Sequence, residues 1–220
     1  MAKILIYNGD SNRMEIYYRG ELQPMPYNVN STLTVGEFRG SSGSSVLWTT
    51  KATMQSWNRQ RFLFGKPIPV GFAFKRSWEG GHGLQSQHYA GVAFDTGQIL
   101  SSEQREELRE SVVNSGLWTY VEPEFLTPTW VHFDKRTLPA ACSTGGYPTI
   151  RQGSKGVYVL IAQDGLNTLG FSTGGLDGIF GKQTRDATIK YQQLKGLSPD
   201  GVIGCEVWRS LQQDVVGKGR

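Results

Sequence analysis

The sequence is short of the two side chains most used to bind metals and carry out redox chemistry: 220 residues contain three histidines and two cysteines. Any imidazole chemistry must therefore come from His82, His88 or His132. Cys142 and Cys205 show no C-x-x-C spacing and have no histidine beside them, which argues against a zinc knuckle or a dithiol redox motif and predicts two reduced thiols. No apolar run approaches the roughly 18 residues of a helical membrane span. The N-terminus carries one early positive charge, Lys3, and a brief apolar stretch, Ile4 to Tyr7. A secretory leader needs about 7–15 apolar residues, so none is expected here. The net charge of +4 is dispersed rather than clustered with aromatics, which argues against a nucleic-acid groove. A mildly basic surface still suits an anionic polymer such as a cell wall.

What is present is ample core material, 38% hydrophobic with 11% aromatic, in a chain long enough for two small domains. Residues 3–7 and 14–19 are short β-type runs around the turn-rich Asn8 to Asn12 and predict a hairpin. Gly40 to Ser45 reads as a flexible surface segment. Met54, Trp57 and Arg61 fit a helix beginning near Thr50 and stopped by Gly65 and Pro67, with a strand over 69–74. Ser101 and Gln104 form a capping-box pattern ahead of Leu108, Val112 and Val113, and the helix should stop at Asn114 to Gly116. Residues 117–121 and 129–133 look like paired strands. The first unit, residues 1–142, is thus expected to be α+β, a mostly antiparallel sheet with helices.

Between Ala140 and Thr149 periodic sequence gives way to Pro, Ala, Ser and Gly. Beyond it, residues 148–216 carry apolar stripes at three- and four-residue steps: Val159, Ala162, Leu166 and Leu169; Thr184, Ala187, Tyr191 and Leu194; Val207, Trp208, Leu211 and Val215. These predict a small three-helix bundle. Asp177-Gly-Ile-Phe-Gly181 recurs as Asp200-Gly-Val-Ile-Gly204, an internal pseudo-repeat placing an Asp-Gly turn before a helix each time.

The densest chemistry lies in Ser86-Gln-His88-Tyr-Ala-Gly91-Val-Ala93-Phe-Asp95. His88 and Asp95 are an odd number of residues apart, so one straight strand cannot present both on one face. A turn at Gly91 between them could. His132 in Trp130-Val-His132 adds a second imidazole, and two nitrogens with one carboxylate are the ligands expected of a catalytic zinc that keeps a position open for water.

Residues 150–211, from Ile150-Arg-Gln-Gly-Ser154-Lys-Gly156 through the two Asp-Gly-x-x-Gly turns to Val207-Trp208, resemble the peptidoglycan-binding three-helix module of cell-wall hydrolases. Residues 33–135 resemble the zinc D-Ala-D-Ala carboxypeptidase and L-alanyl-D-glutamate peptidase family: Ser86, His88, Gly91, Ala93 and Asp95 match its Ser-x-His-x-x-Gly-x-Ala-x-Asp hallmark, and Trp130 and His132 its later Trp-x-His. The resemblance implies a DD-peptidase/hedgehog-like fold, Zn2+ held by His88, Asp95 and His132, and hydrolysis of an amide bond in peptidoglycan stem peptides. In Lys75-Arg76-Ser77 it implies that Arg76 contacts substrate or the oxyanion, while Ser86 would bind substrate or buttress His88. His82, in a glycine-rich loop, is left out of the metal ligands.

The family places its general base three residues before the second histidine, where this chain has Thr129. Glu122 is the expected replacement because it follows the β-run that should pair with the His132 strand, and Glu124 is the alternative. A monomer acting on the cell wall, released through a membrane lesion as a phage endolysin is, would fit the missing leader. A non-catalytic wall binder with a relic zinc site is the rival reading, and Thr129 is the residue that favours it.

Overall fold

The computed structural model describes residues 1–143 and 146–218. Its elements run β1 (Ala2–Asn8), β2 (Arg13–Arg19), α1 (Val35–Arg39), β3 (Val46–Thr50), α2 (Lys51–Phe64), β4 (Val70–Phe72), β5 (Ala93–Thr96), α3 (Ser102–Ser115), β6 (Tyr120–Val121), β7 (Val131–Asp134), α4 (Val157–Thr168), α5 (Lys182–Leu194) and α6 (Cys205–Val215). The class is α+β, with two sheets in place of one. The first, ordered β2-β1-β3, is mixed: the expected hairpin β1-β2 is antiparallel, while β3 joins β1 in parallel. The second, ordered β4-β5-β7-β6, is antiparallel throughout.

Local signals set most of the boundaries. Ser101 accepts from the Gln104 N–H while the Gln104 side chain returns to the Ser101 N–H, closing the capping box of α3. Gly65 and Gly116 end α2 and α3 in the left-handed conformation. Between the sheets, Trp48, Trp57, Phe74, Phe94 and Phe133 are fully buried, and Phe94 stacks against Trp57 at 4.7 Å and Phe133 at 5.8 Å. This aromatic core lies directly beneath β5 and β7.

The Gly40 to Ser45 segment is not a loose surface loop. Ser42 and Ser44 are buried, and Glu79 accepts from the Ser42 hydroxyl and the Gly43 N–H, each at 2.7 Å. Small polar residues here pack closely and bond inward, an outcome that composition alone does not reveal.

In the C-terminal unit the pseudo-repeat is built around two buried glutamines. Gln163 of α4 accepts from the Gly178 N–H at 3.0 Å and donates to Asp177 Oδ1 at 2.7 Å; Gln192 of α5 accepts from the Gly201 N–H at 2.8 Å and donates to Asp200 Oδ1 at 2.8 Å. Each Asp-Gly turn is thus clamped by an amide side chain from the preceding helix, which satisfies backbone groups that would otherwise be buried unpaired.

The two units share one continuous hydrophobic core. Tyr147 packs edge-on against Trp208 at 5.0 Å and donates its hydroxyl to the Ser86 carbonyl at 2.8 Å; the Tyr158 hydroxyl donates to Gln87 Oε1 at 2.9 Å. Cys142 and Cys205 form a disulfide, so the expectation of two reduced thiols is corrected. The pairing is invisible to spacing rules because the cysteines lie 63 positions apart and only the docking of α6 brings them together. Arg76 also belongs to this junction. Its guanidinium makes a two-pronged ion pair with Asp164 of α4, with Nε donating at 2.6 Å, and lies 4.8 Å from the Trp48 ring.

Candidate metal centre

The candidate centre is assembled from one tight turn and three neighbouring strands. From Ser86 to Val92 the chain folds back on itself: Tyr89, Ala90 and Gly91 N–H groups donate to the Ser86, Gln87 and His88 carbonyls. Gly91 adopts φ +67, and a Cβ there would sit 1.9 Å from the Trp48 carbonyl oxygen, so only glycine fits. This turn resolves the odd spacing. It leaves His88 on the reversing segment and puts Asp95 on β5, with the His88 Nε2 3.3 Å from Asp95 Oδ2.

Strand register does the rest. Phe72 of β4 pairs with Asp95 of β5, and Asp95 pairs with His132 of β7. The Glu122 N–H donates to the His132 carbonyl at 2.9 Å, extending the β6-β7 ladder by one residue and placing Glu122 beside His132. Cross-strand neighbours share a face, so Asp95, His132 and Glu122 form a row. All three line an open cleft of about 790 Å³ together with His88 and Ser86. Glu124 and Thr129 are exposed and lie outside the cleft.

The imidazoles of His88 and His132 converge on the Asp95 carboxylate. His88 Nδ1 is held by the Ala73 carbonyl at 3.1 Å, which fixes that nitrogen as the N–H and turns Nε2 toward Asp95. His132 is held from the other side: Nε2 faces Asp134 Oδ2 at 3.2 Å and Nδ1 faces Asp95 Oδ1 at 2.7 Å. Asp134 is fully buried and paired with Arg136, whose guanidinium stacks 4.0 Å from the Tyr120 ring. Two histidines, each with one ring nitrogen anchored and the other aimed at a shared carboxylate, fit a divalent zinc.

The electrostatics agree. Burial disfavours charge on His132, but Asp134 and Asp95 outweigh it and raise its pKa to about 9. Burial likewise opposes ionisation of Asp95, and hydrogen bonds from His132 and His88 overcome this and hold its carboxyl below the ordinary range. Asp95 and Asp134 thus stay ionised beside the His132 imidazolium that balances them.

His82, left out of the ligands by the sequence, stands at this centre. Its ring lies 4.6 Å from that of His88 and 4.3 Å from that of Phe72, and a donor atom of each of His82, His88 and Asp95 falls within 4.8 Å of the others. Burial, with His88 adding to it, lowers its pKa to about 4, so the ring is neutral. The loop is fixed where Tyr89 accepts from the His82 N–H at 3.1 Å and donates to its carbonyl at 3.2 Å. Nothing periodic marks a Gly-Gly-His-Gly loop, so only the fold reveals this.

Two expected substrate residues fare differently. Ser86 lines the cleft, and its hydroxyl accepts the His88 N–H at 3.3 Å, buttressing the turn that presents His88. Arg76 is absent from the cleft: it is buried, and its guanidinium is occupied by Asp164 and the Ser44 hydroxyl, which corrects its assignment to substrate or oxyanion. Two cleft residues the sequence did not suggest, Gly146 and Arg209, come from beyond residue 142.

Comparison with known proteins bears on the C-terminal unit. Residues 155–211 match the family described as "Putative peptidoglycan binding domain". The chain is 49% identical over 53 residues to the N-acetylmuramoyl-L-alanine amidase CwlM of Mycobacterium tuberculosis, covering 24% of this chain and 13% of that protein. It is 38% identical over 72 residues to an uncharacterized protein of Kitasatospora aureofaciens, covering 30% of this chain and 61% of that one. It therefore spans less than two thirds of either relative. Among solved structures, a peptidoglycan-binding protein from Clostridioides difficile is 38% identical over 31% of this chain and 42% of its own, with a TM-score of 0.30. The SleB N-terminal domain is 34% identical over 30% of this chain and 92% of its own, with a TM-score of 0.30. Residues 155–211 are thus similar to peptidoglycan-binding domains. No helix among the described residues is long and apolar enough to cross a membrane.

Proposed function

We propose that the protein is a zinc-dependent peptidase that hydrolyses an amide bond in the peptide stems of peptidoglycan, held at the wall by its C-terminal domain. The observation that carries this reading is the row Asp95, His132, Glu122 across adjacent strands, closed by His88 at one end of an open cleft. His88 Nε2, an Asp95 oxygen and His132 Nδ1 would hold the metal. Bound there, zinc supplies Lewis-acid polarisation of the scissile carbonyl and lowers the pKa of an attacking water toward about 7.

The remaining work falls to side chains of the chain itself. Glu122 would take the proton of the attacking water and return it to the leaving amine, a role supported by its carboxylate lining the cleft. Asp134, backed by Arg136, keeps His132 oriented, and the Ala73 carbonyl does the same for His88. His82 presents a neutral ring to the same space and is suited to hydrogen-bond the reacting groups. The peptidoglycan-binding domain supplies a high local concentration of stem peptides.

Release of stem fragments or D-alanine from purified wall, lost on chelation and restored by zinc, tests the reading. Zinc binding without turnover on intact wall or on a defined stem pentapeptide would favour a wall-binding protein with a relic site. The products of the pentapeptide, identified by mass spectrometry, distinguish carboxypeptidase from endopeptidase cleavage.

A further inference from the structure

The cleft contains two arginines, and only one is neutralised. Arg136 is committed to Asp134. Arg209 also lines the cleft, is exposed, and makes no ion pair or side-chain hydrogen bond among the described residues. It belongs to α6 of the peptidoglycan-binding unit.

Its position is fixed by covalent and packed contacts. Cys205 opens α6 and is tied to Cys142, and Arg209 stands four residues on, one helical turn along the same face. Its neighbour Trp208 is fully buried, donates its ring N–H to the Pro148 carbonyl at 2.8 Å and packs on Tyr147. Tyr147 grips the loop that precedes His88 from two sides, donating its backbone N–H to Gln85 Oε1 at 2.9 Å and its hydroxyl to the Ser86 carbonyl. The segment bearing Arg209 is therefore anchored to the loop bearing the metal donors. Arg76, meanwhile, is locked to Asp164 and cannot meet an anionic ligand.

We propose that Arg209 recognises a carboxylate of the substrate, so that the wall-binding domain completes the substrate cleft in addition to holding the polymer. Peptide stems present free carboxylates, and a guanidinium whose donors are unpartnered among the described residues is the side chain whose planar fork matches that group. The proposal rests on the peptidase reading above.

The test uses the full-length, zinc-loaded protein and stem peptides of one sequence in which each carboxylate in turn is replaced by its carboxamide. For one carboxylate, kcat/KM should favour the acid over the amide by about tenfold, the size of one charge-assisted contact at an exposed site. In Arg209→Gln that preference should fall close to one, and in Arg209→Lys part of it should return. Equal zinc content and melting temperature in the variants separate recognition from misfolding. An unchanged preference in Arg209→Gln, or no preference at any position in the wild type, overturns the inference and leaves the peptidase reading standing. Loss of binding to intact wall with an unchanged peptide preference would put Arg209 on the polymer and also overturn it. No cleavage of any peptide by the wild type removes the peptidase reading and this inference together.

Discussion

Asp95 and His132 face each other across β5 and β7, with the His132 Nδ1 2.7 Å from the carboxylate, while His88 reaches the other oxygen of the same carboxylate at 3.3 Å. One aspartate thus organises two imidazoles whose remaining nitrogens are anchored elsewhere. On the zinc-peptidase reading, removing either imidazole should abolish zinc binding, whereas removing the neighbouring Glu122 carboxylate should not. His132→Ala is expected to lose stoichiometric zinc, measured by elemental analysis. Glu122→Gln is expected to retain zinc and lose roughly 10²–10⁴-fold in kcat, the usual worth of a positioned proton-transfer group.

His82 is expected to behave differently from both. Neither ring nitrogen of His82 is held by a hydrogen bond among the described residues, whereas His88 and His132 each have one ring nitrogen anchored, so zinc bound there should survive its loss. His82→Ala should keep zinc and lower kcat, and loss of zinc in this variant would make His82 a ligand. Zinc content and turnover of the same preparation decide this.

The Arg76–Asp164 pair joins the two units in a buried setting. Burial raises the Asp164 pKa, and Arg76 only partly offsets it, so the ionised carboxylate depends on its partner. For a carboxyl whose folded pKa lies above its unfolded value, the fold is favoured at low pH and that advantage is lost as pH rises through the folded pKa. Arg76→Met, which leaves the carboxylate unpaired, should cost about 3–5 kcal/mol at neutral pH. The loss should shrink as the pH falls into the acid range. The double variant Arg76→Met/Asp164→Leu should recover much of it. Chemical denaturation at several pH values measures both effects.

The disulfide should be detectable as an absence of reactive thiol in the unreduced protein. Replacing both cysteines by serine removes a crosslink between residues 63 positions apart, worth about 4 kcal/mol in a chain-entropy estimate. Calorimetry should show a lower melting temperature. The acid-over-amide preference assigned to Arg209 should weaken in the same variant, because α6 loses its tie to Cys142.

What could be read from the sequence was what depends on local order. The α3 capping box, the β1-β2 hairpin, the stops at Gly65 and Gly116 and the apolar stripes of α4 to α6 all follow from residues within a turn or two of one another. The placement of Glu122 beside His132 was accessible because it follows from pairing two short strands. What was missed is non-local. Arg76 finds Asp164 in a separate helix 88 positions away, Cys142 finds Cys205 only after α6 docks, and β3 joins β1 in parallel across an intervening hairpin and helix. His82 and Ser42 occupy glycine-rich stretches, where composition suggests looseness and tertiary bonding imposes order. The aspartate of each Asp-Gly turn was legible as turn chemistry, but its glutamine clamp from another helix was not.

The Cys142–Cys205 bond has a topological consequence of its own. It closes a loop that contains α4, α5 and the whole segment joining the two units. A protease that cuts once anywhere between those cysteines leaves two fragments still covalently linked. The cleft lined by His88, Asp95 and His132 and the C-terminal helical unit would travel together after such a cut, so a single nick in the connecting segment would not separate them.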